Sequence, residues 1–222
     1  MVDSHDLLDA RVIILSTLVT STVIGSMKLY KKFQPIRSIH SIPKAYFHNK
    51  TLYGYVTRVG DGDNFHFYHT PGGRWLGWGT KYRPLPKKHY RGIGTLPIRL
   101  CGIDAPERSH FGKPAQLFSD EALMWLKLKL LHKNVRMKPL CIDQYERVVG
   151  HVQVREWLIW RDVGRQMLRT GLCSVYEGSQ VEFDGMERVY RQEEKESKRK
   201  KRGMWSVKTL TPREYKRIYN KH

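Results

Sequence analysis

The chain has 222 residues, of which 40 are Lys or Arg and 21 are Asp or Glu, for a formal net charge of +19 at pH 7. That length suits one ordinary domain with appendages, or at most two small domains, and 40% hydrophobic with 11% aromatic content supplies a core and excludes wholesale disorder. A charge this one-sided concentrates anions such as nucleic acid or anionic lipid. The three cysteines, Cys101, Cys141 and Cys173, lack CxxC or HxxxC spacing and argue against both a disulfide scaffold and a zinc site.

Residues 1–11 form an acidic N-terminal flank with Asp3, Asp6 and Asp9, ahead of the uncharged run VIILSTLVTSTVIGSM at 12–27. The run extends to residue 30 if Lys28 snorkels, and a spanning helix needs roughly 17–25 residues. Lys28, Lys31, Lys32 and Arg37 follow it. This charge order is the reverse of a secretory signal peptide, and the positive-inside rule keeps the C-terminal side cytoplasmic or in the matrix. A transmembrane anchor over 12–30 is therefore expected, with a buried core helix as the competing reading. Residues 31–50, with Pro35, Pro43 and scattered Ser and His, read as a linker.

Strands are expected over 51–59 and 64–69 around a GDGD turn, because Asp-Gly is a strong hairpin signal. Further strands follow over 96–103, 135–140 and 148–154, the last two around the turn DQYER. Helical apolar spacing marks 114–132, and a second helix over 161–170 ends at Gly171, which fits a C′ glycine. A charged helix covers 187–202, and Thr211-Pro212 reads as an N-cap followed by proline at the first helical position. The fold class expected is α+β: a five-stranded OB-type β-barrel with packed helices, preceded by one transmembrane helix. The working domain spans 51–206, with an insertion at 69–97 and a basic C-terminal tail over 207–222.

Three clusters carry the candidate chemistry: Asp61-Gly62-Asp63 at a turn, Arg99 to Glu107 (RLCGIDAPE), and Asp143-Gln144-Tyr145-Glu146-Arg147. Period-two alternation puts Arg99, Cys101 and Ile103 on one strand face. Pro106 ends that strand, leaving Asp104 and Glu107 free to converge on a ligand. Carboxylates bind a hard divalent cation, arginine forks bind phosphate, and a further acid can deprotonate water. Together these make a site suited to phosphodiester cleavage. Taken one at a time, the same pieces read as turns and solvated ion pairs.

The order DGD, IRLCGIDAPE, helix, DQYER, helix ending RTGL, and charged helix ending GMWS resembles the staphylococcal nuclease family over roughly residues 52–206. With an anchor in front, the chain further resembles the fungal membrane-anchored members of that family, which implies a mitochondrial endonuclease. The resemblance implies an OB-type barrel and a calcium-dependent phosphodiesterase, with Ca2+ held by Asp63, Asp104 and the backbone carbonyl of Ala105. It implies Glu107 as the general base, Arg99 and Arg147 as the phosphate-holding arginines, and Tyr145 and Tyr176 beside the bound nucleotide. Asn64 and Ala105 stand where the bacterial pattern has threonine, and Glu146 stands where it has glycine. That glycine would serve a positive-φ turn, and the charge of Glu146 could pair with Arg147.

The insertion at 69–97 interleaves Trp75, Trp78, Tyr82 and Tyr90 with Arg74, Lys81, Arg83, Lys87, Lys88 and Arg91. This is the composition of a single-strand-binding surface or of a loop packed on the barrel. Lys198-Arg199-Lys200-Lys201-Arg202 reads as a solvated helix C-terminus or as a nucleic-acid or localisation patch. His66 reads as a barrel residue. The last helix, with Tyr215, Ile218 and Tyr219, docks either on the domain or on anionic lipid. The expected function is a membrane-anchored, calcium-dependent endonuclease of low sequence specificity acting on DNA or RNA, with no protein partner inferred. The alternatives are a non-catalytic tethered nucleic-acid-binding module and a membrane scaffold.

Overall fold

In the computed structural model, residues 4–86, 94–109, 112–178 and 181–219 are described. The chain divides into two units, residues 1–35 and residues 36–222. In the first, helix α1 (Ser4–Lys32) contains the 23-residue stretch Asp9–Lys31, with mean hydropathy 1.7 and none of it buried. At about 1.5 Å per residue this is long and apolar enough to cross a membrane. Three of its hydroxyls are satisfied within the helix. Thr17 donates to the carbonyl of Ile14 (2.8 Å), Thr22 to that of Leu18 (2.8 Å) and Ser16 to that of Ile13 (2.9 Å), the back-bonding that makes Ser and Thr tolerable in an apolar helix.

The second unit is built on strands β1 (Leu52–Asp61), β2 (Asn64–His69), β3 (Leu96–Leu100), β5 (Asn134–Ile142) and β6 (Val148–Glu156). They hydrogen-bond in the order β3-β2-β1-β5-β6, and a parallel β3–β6 pairing closes the ring. The result is the expected five-stranded barrel. Alternation decides its interior: Phe65 and Phe67 are fully buried, while His66 between them is partly exposed beside the Thr95 hydroxyl (3.2 Å). A short strand β7 (Ile159–Asp162) extends the sheet from β6.

Helix α2 (Ser119–Leu130) buries Ala122, Leu123, Leu126 and Leu130 against the barrel core. It starts later than the apolar spacing predicts. Phe118 has a left-handed φ of 69° and breaks any earlier turn, and the residues before it run as a loop. Helix α3 (Val163–Thr170) is capped by the Asp162 side chain and closed by Gly171 at φ 75°. Helix α4 (Glu187–Arg199) buries Tyr190, whose hydroxyl donates to Asp162 at 3.0 Å. Helix α5 (Pro212–Tyr219) ends the described chain.

Two expectations need correction. The apolar stretch 96–103 is not one strand: β3 stops at Leu100, Gly102 turns at φ 66°, and Ile103–Asp104 forms β4, paired with β8 (Ser174–Val175). Period-two alternation therefore does not carry from Arg99 to Ile103. A side chain at Gly102 would meet Phe183 Cδ1 at 2.5 Å, so glycine is needed both for the turn and for the close approach. The segment from Ile36 onward also packs into the domain, burying Ile36, Ile39 and Ile42 in the barrel core and lending the Ile36 N–H to His69 Nδ1 (2.9 Å).

In the insertion, Trp78 is buried and donates to the Pro71 carbonyl (3.1 Å), with the Arg37 guanidinium over Tyr68 at 3.7 Å. Trp75 and Tyr82 are 98% and 91% exposed, so the insertion combines a packed tryptophan with two free rings. Lys87, Lys88, Tyr90 and Arg91 lie outside the described residues. The cationic end of α4 is paired along its own helix, Lys198 with Glu194 and Arg199 and Lys200 with Glu196. All three cysteines are free thiols, with Cys101 and Cys173 buried.

Candidate active site

The two-residue turn Gly62-Asp63 between β1 and β2 sits at one end of the barrel, with Asp61 opposite Asn64. A Cβ at Gly62 would lie 2.7 Å from the Ala105 Cβ and 3.2 Å from the Ala122 Cβ, so the turn rests directly on Ala105 and α2. This contact brings Asp63 beside the β3–β4 corner, and the Asp63 carbonyl accepts the Leu100 N–H at 2.9 Å.

Arg99 bridges the two carboxylates expected as cation ligands. Its Nε donates to Asp63 Oδ2 at 3.2 Å and its Nη2 to Asp104 Oδ1 at 3.0 Å, with all three side chains largely buried. The Tyr176 ring lies under the guanidinium at 4.6 Å, and its own N–H is tied to the Gly102 carbonyl at 2.9 Å. Burial opposes charge on Arg99, but Asp63 and Asp104 outweigh it and hold the guanidinium pKa above its ordinary value. Burial raises the Asp104 carboxyl, against the opposing effect of Lys216 and Arg99. Asp61 is pushed up to about 6, by burial first and then by the charges of Asp63 and Glu107.

Glu107 stands on the loop after β4, where Gln116 holds its backbone N–H and C=O. Its carboxylate meets a residue that sequence reasoning did not assign. The Lys216 ammonium lies 3.1 Å from Glu107 Oε1 and 2.7 and 2.9 Å from the two Asp104 oxygens. Asp63, Arg99, Asp104, Glu107 and Tyr176 thus share one connected cluster, with Ala105 buried beside the turn.

Arg147 and Tyr145 keep their own partners in the β5–β6 turn. Asp143 Oδ2 accepts from Arg147 Nε (2.8 Å) and Nη2 (2.7 Å), while Asp143 Oδ1 accepts the backbone N–H of Tyr145 (3.0 Å) and of Arg147 (2.9 Å). The parallel register pairs Ile98 with Val148 and Arg99 with Val149, so this turn leads into the strand beside Arg99. Glu146 has φ 56°, the backbone that glycine would favour. Contrary to expectation, it does not pair with Arg147; its exposed carboxylate lies 3.8 Å from His40 Nε2.

Two carboxylates and a buried carbonyl group, all oxygen donors, suit a hard divalent cation. Among the described residues, no three His, Cys, Asp or Glu side chains gather in a way that could hold a metal.

The closed barrel is the fold expected from the resemblance to the staphylococcal nuclease homologues. The model of that family matches residues 97–207, and the chain belongs to it. Fungal proteins are similar over most of the chain. A protein named "Probable endonuclease LCL3" from Komagataella phaffii is 48% identical over 220 residues, covering 94% of each chain. Proteins of the same name from Scheffersomyces stipitis and Candida tropicalis are 47% and 46% identical, covering 95% and 96% of this chain and 92% and 93% of theirs.

Proposed function

We propose that the chain is a membrane-anchored, calcium-dependent endonuclease that hydrolyses DNA or RNA phosphodiester bonds with little sequence preference. The observation that carries this reading is Arg99 held between Asp63 and Asp104, with Glu107 on the adjoining loop. Asp63, Asp104 and the Ala105 carbonyl are the residues that would hold Ca2+, which when bound supplies polarisation of a phosphoryl oxygen and orientation of water.

The chain's own residues do the rest. Glu107 accepts the proton of the attacking water. Arg99 and Arg147 donate to the phosphoryl oxygens as negative charge builds in the transition state, a contribution commonly of the order of 10²–10³ in rate for each donor. Tyr176, stacked on Arg99, and the 69% exposed Tyr145 flank the nucleotide. Water adds to phosphorus, the P–O ester bond breaks, and the leaving oxygen takes up a proton.

The apolar 23-residue stretch of α1 supports the anchor, and a mitochondrial membrane follows only from the resemblance drawn from the sequence. A non-catalytic nucleic-acid-binding module is the second reading. It is favoured by one observation: Asp143 already holds Arg147 through Nε and Nη2.

The test is full-length protein in detergent, incubated with plasmid, single-stranded DNA and RNA, with calcium or with EDTA, beside Glu107→Ala and Arg147→Ala. Calcium-dependent cleavage lost in both variants is expected. Binding without cleavage would replace the nuclease with the binding module. Membrane fractions of the source cells, washed with carbonate, check the anchor.

A further inference from the structure

Helix α5 carries a cation into the carboxylate cluster from outside the segment, 97–207, that matches the family model. It is a formed element. Pro212 opens it, the Thr211 N–H donates to Glu214 Oε2 at 2.8 Å, and the Thr211 hydroxyl accepts the Glu214 N–H at 3.3 Å, a capping box. It is also docked. Tyr215 is 4% exposed and donates to the Pro114 carbonyl at 2.6 Å, Gln116 Nε2 donates to the Leu210 carbonyl at 3.1 Å, and Arg213 pairs with Glu177. The next residue after Tyr215, Lys216, hydrogen-bonds both oxygens of Asp104 and forms an ion pair with Glu107 at 3.1 Å.

A divalent cation ligated by Asp104 needs oxygens that the lysine holds, and two cations on the same carboxylate repel one another. An eight-residue helix is marginal by itself, so α5 stays in place through these few ties and can leave as a unit.

We propose that α5 is a tethered internal competitor for the cation site, in which Lys216 neutralises Asp104 and Glu107 until a divalent cation displaces it. Cation loading and lysine withdrawal are then one exchange, and the resting protein is self-inhibited. The inference rests on the reading of Asp63 and Asp104 as cation ligands. If the docked state holds nine-tenths of the population or more, the apparent cation affinity is weakened about tenfold or more.

The test measures Ca2+ binding by calorimetry on full-length protein in detergent, comparing wild type, Lys216→Met, Tyr215→Ala and Asp104→Asn. Tyr215→Ala keeps the lysine and removes the docking tie. The expected result is Ca2+ affinity raised about tenfold by both Lys216→Met and Tyr215→Ala, together with faster hydrogen exchange of α5 amides when Ca2+ is added to the wild type. Unchanged or weaker affinity in both variants, with binding intact in the wild type, overturns the competitor and leaves the cation site standing. Tightening in Lys216→Met alone reduces the lysine to a fixed neighbouring charge and also overturns it. Absence of Ca2+ binding in every protein overturns the cation site and the competitor together.

Discussion

Gln116 and Glu107 hold each other through two backbone-directed bonds: the Glu107 N–H donates to Gln116 Oε1 at 2.8 Å, and the Gln116 N–H donates to the Glu107 carbonyl at 2.8 Å. The Gln116 amide also reaches the Leu210 carbonyl, so one buried side chain sets both the loop that carries Glu107 and the chain leading into α5. Replacing it with alanine removes the partner of the half-buried Glu107 N–H and of the exposed Leu210 carbonyl, which costs about 1 kcal/mol. The loosened loop also misplaces Glu107, and a displacement of about 1 Å costs up to 10²-fold in rate. Gln116→Ala is expected to lower the urea midpoint and to reduce kcat more than it raises KM. An unchanged kcat would remove Gln116 from the positioning of Glu107.

Gly62 makes a different kind of demand. Alanine there places a methyl 2.7 Å from Ala105 Cβ and 3.2 Å from Ala122 Cβ, so the aspartate turn must move away from the site. Overpacking of this kind costs about 1–3 kcal/mol. Gly62→Ala is expected to lose stability and cleavage together, and Ala105→Gly in the same chain is expected to restore part of both by removing the closest contact. Additive losses in that double-mutant cycle would show that the turn does not bear on Ala105.

Local chemistry made much of this fold legible. The Asp-Gly turn, the C′ glycine Gly171 and the Thr211-Pro212 start each announce a backbone conformation through one or two residues, and each is found. The break at Gly102 was hidden because the apolar pattern of LPIRLCGI continues across it, while the turn is set by a glycine facing Phe183, 81 positions on. Strand β8 has two residues, too few to show alternation. Among the site residues, motif order carried Asp63, Arg99, Asp104 and Glu107 into one sequence reading. Lys216 could not be found that way. It meets Asp104 across 112 positions, and within a tail rich in Lys and Arg nothing local distinguishes it.

The β5–β6 turn separates two effects that sequence alone had merged. The Glu146 N–H donates to the Asp143 carbonyl at 3.1 Å, and the turn then passes through left-handed backbone at φ 56°, a conformation that suits glycine. Glu146→Gly is expected to stabilise the domain by about 0.5–1 kcal/mol through relief of that backbone. It is expected to leave cleavage within about twofold, because Arg147 is held by Asp143 and not by Glu146. A rise in cleavage of tenfold or more would mean that Glu146 does oppose the arginine in the working enzyme.

Two histidines, His69 buried and His151 half-buried, should give the domain opposite responses to pH. His69 is lowered to about 4, by burial first and then by the charges of Arg37 and Lys50, and its Nδ1 must stay unprotonated to accept the Ile36 N–H at 2.9 Å. Its folded form binds fewer protons than the unfolded chain, whose histidine titrates near 6.5. The stability it contributes is complete above about 6.5 and is lost as pH falls through about 4, a total of about 3 kcal/mol. His151 runs the other way. Burial opposes its charge, but bonds to Asp162 (3.1 Å) and Asp184 (2.7 Å) outweigh burial and raise its pKa. Its contribution is complete below the unfolded value and is lost as pH rises through the folded one. Urea midpoints between about pH 4 and pH 8 should therefore show His69→Asn flattening the acid limb, because asparagine keeps an acceptor for Ile36 and takes up no proton. His151→Gln should instead remove the loss on the alkaline side. An acid limb unchanged in His69→Asn would mean that protonation elsewhere breaks the domain, and that the tie between Ile36 and the barrel survives acid.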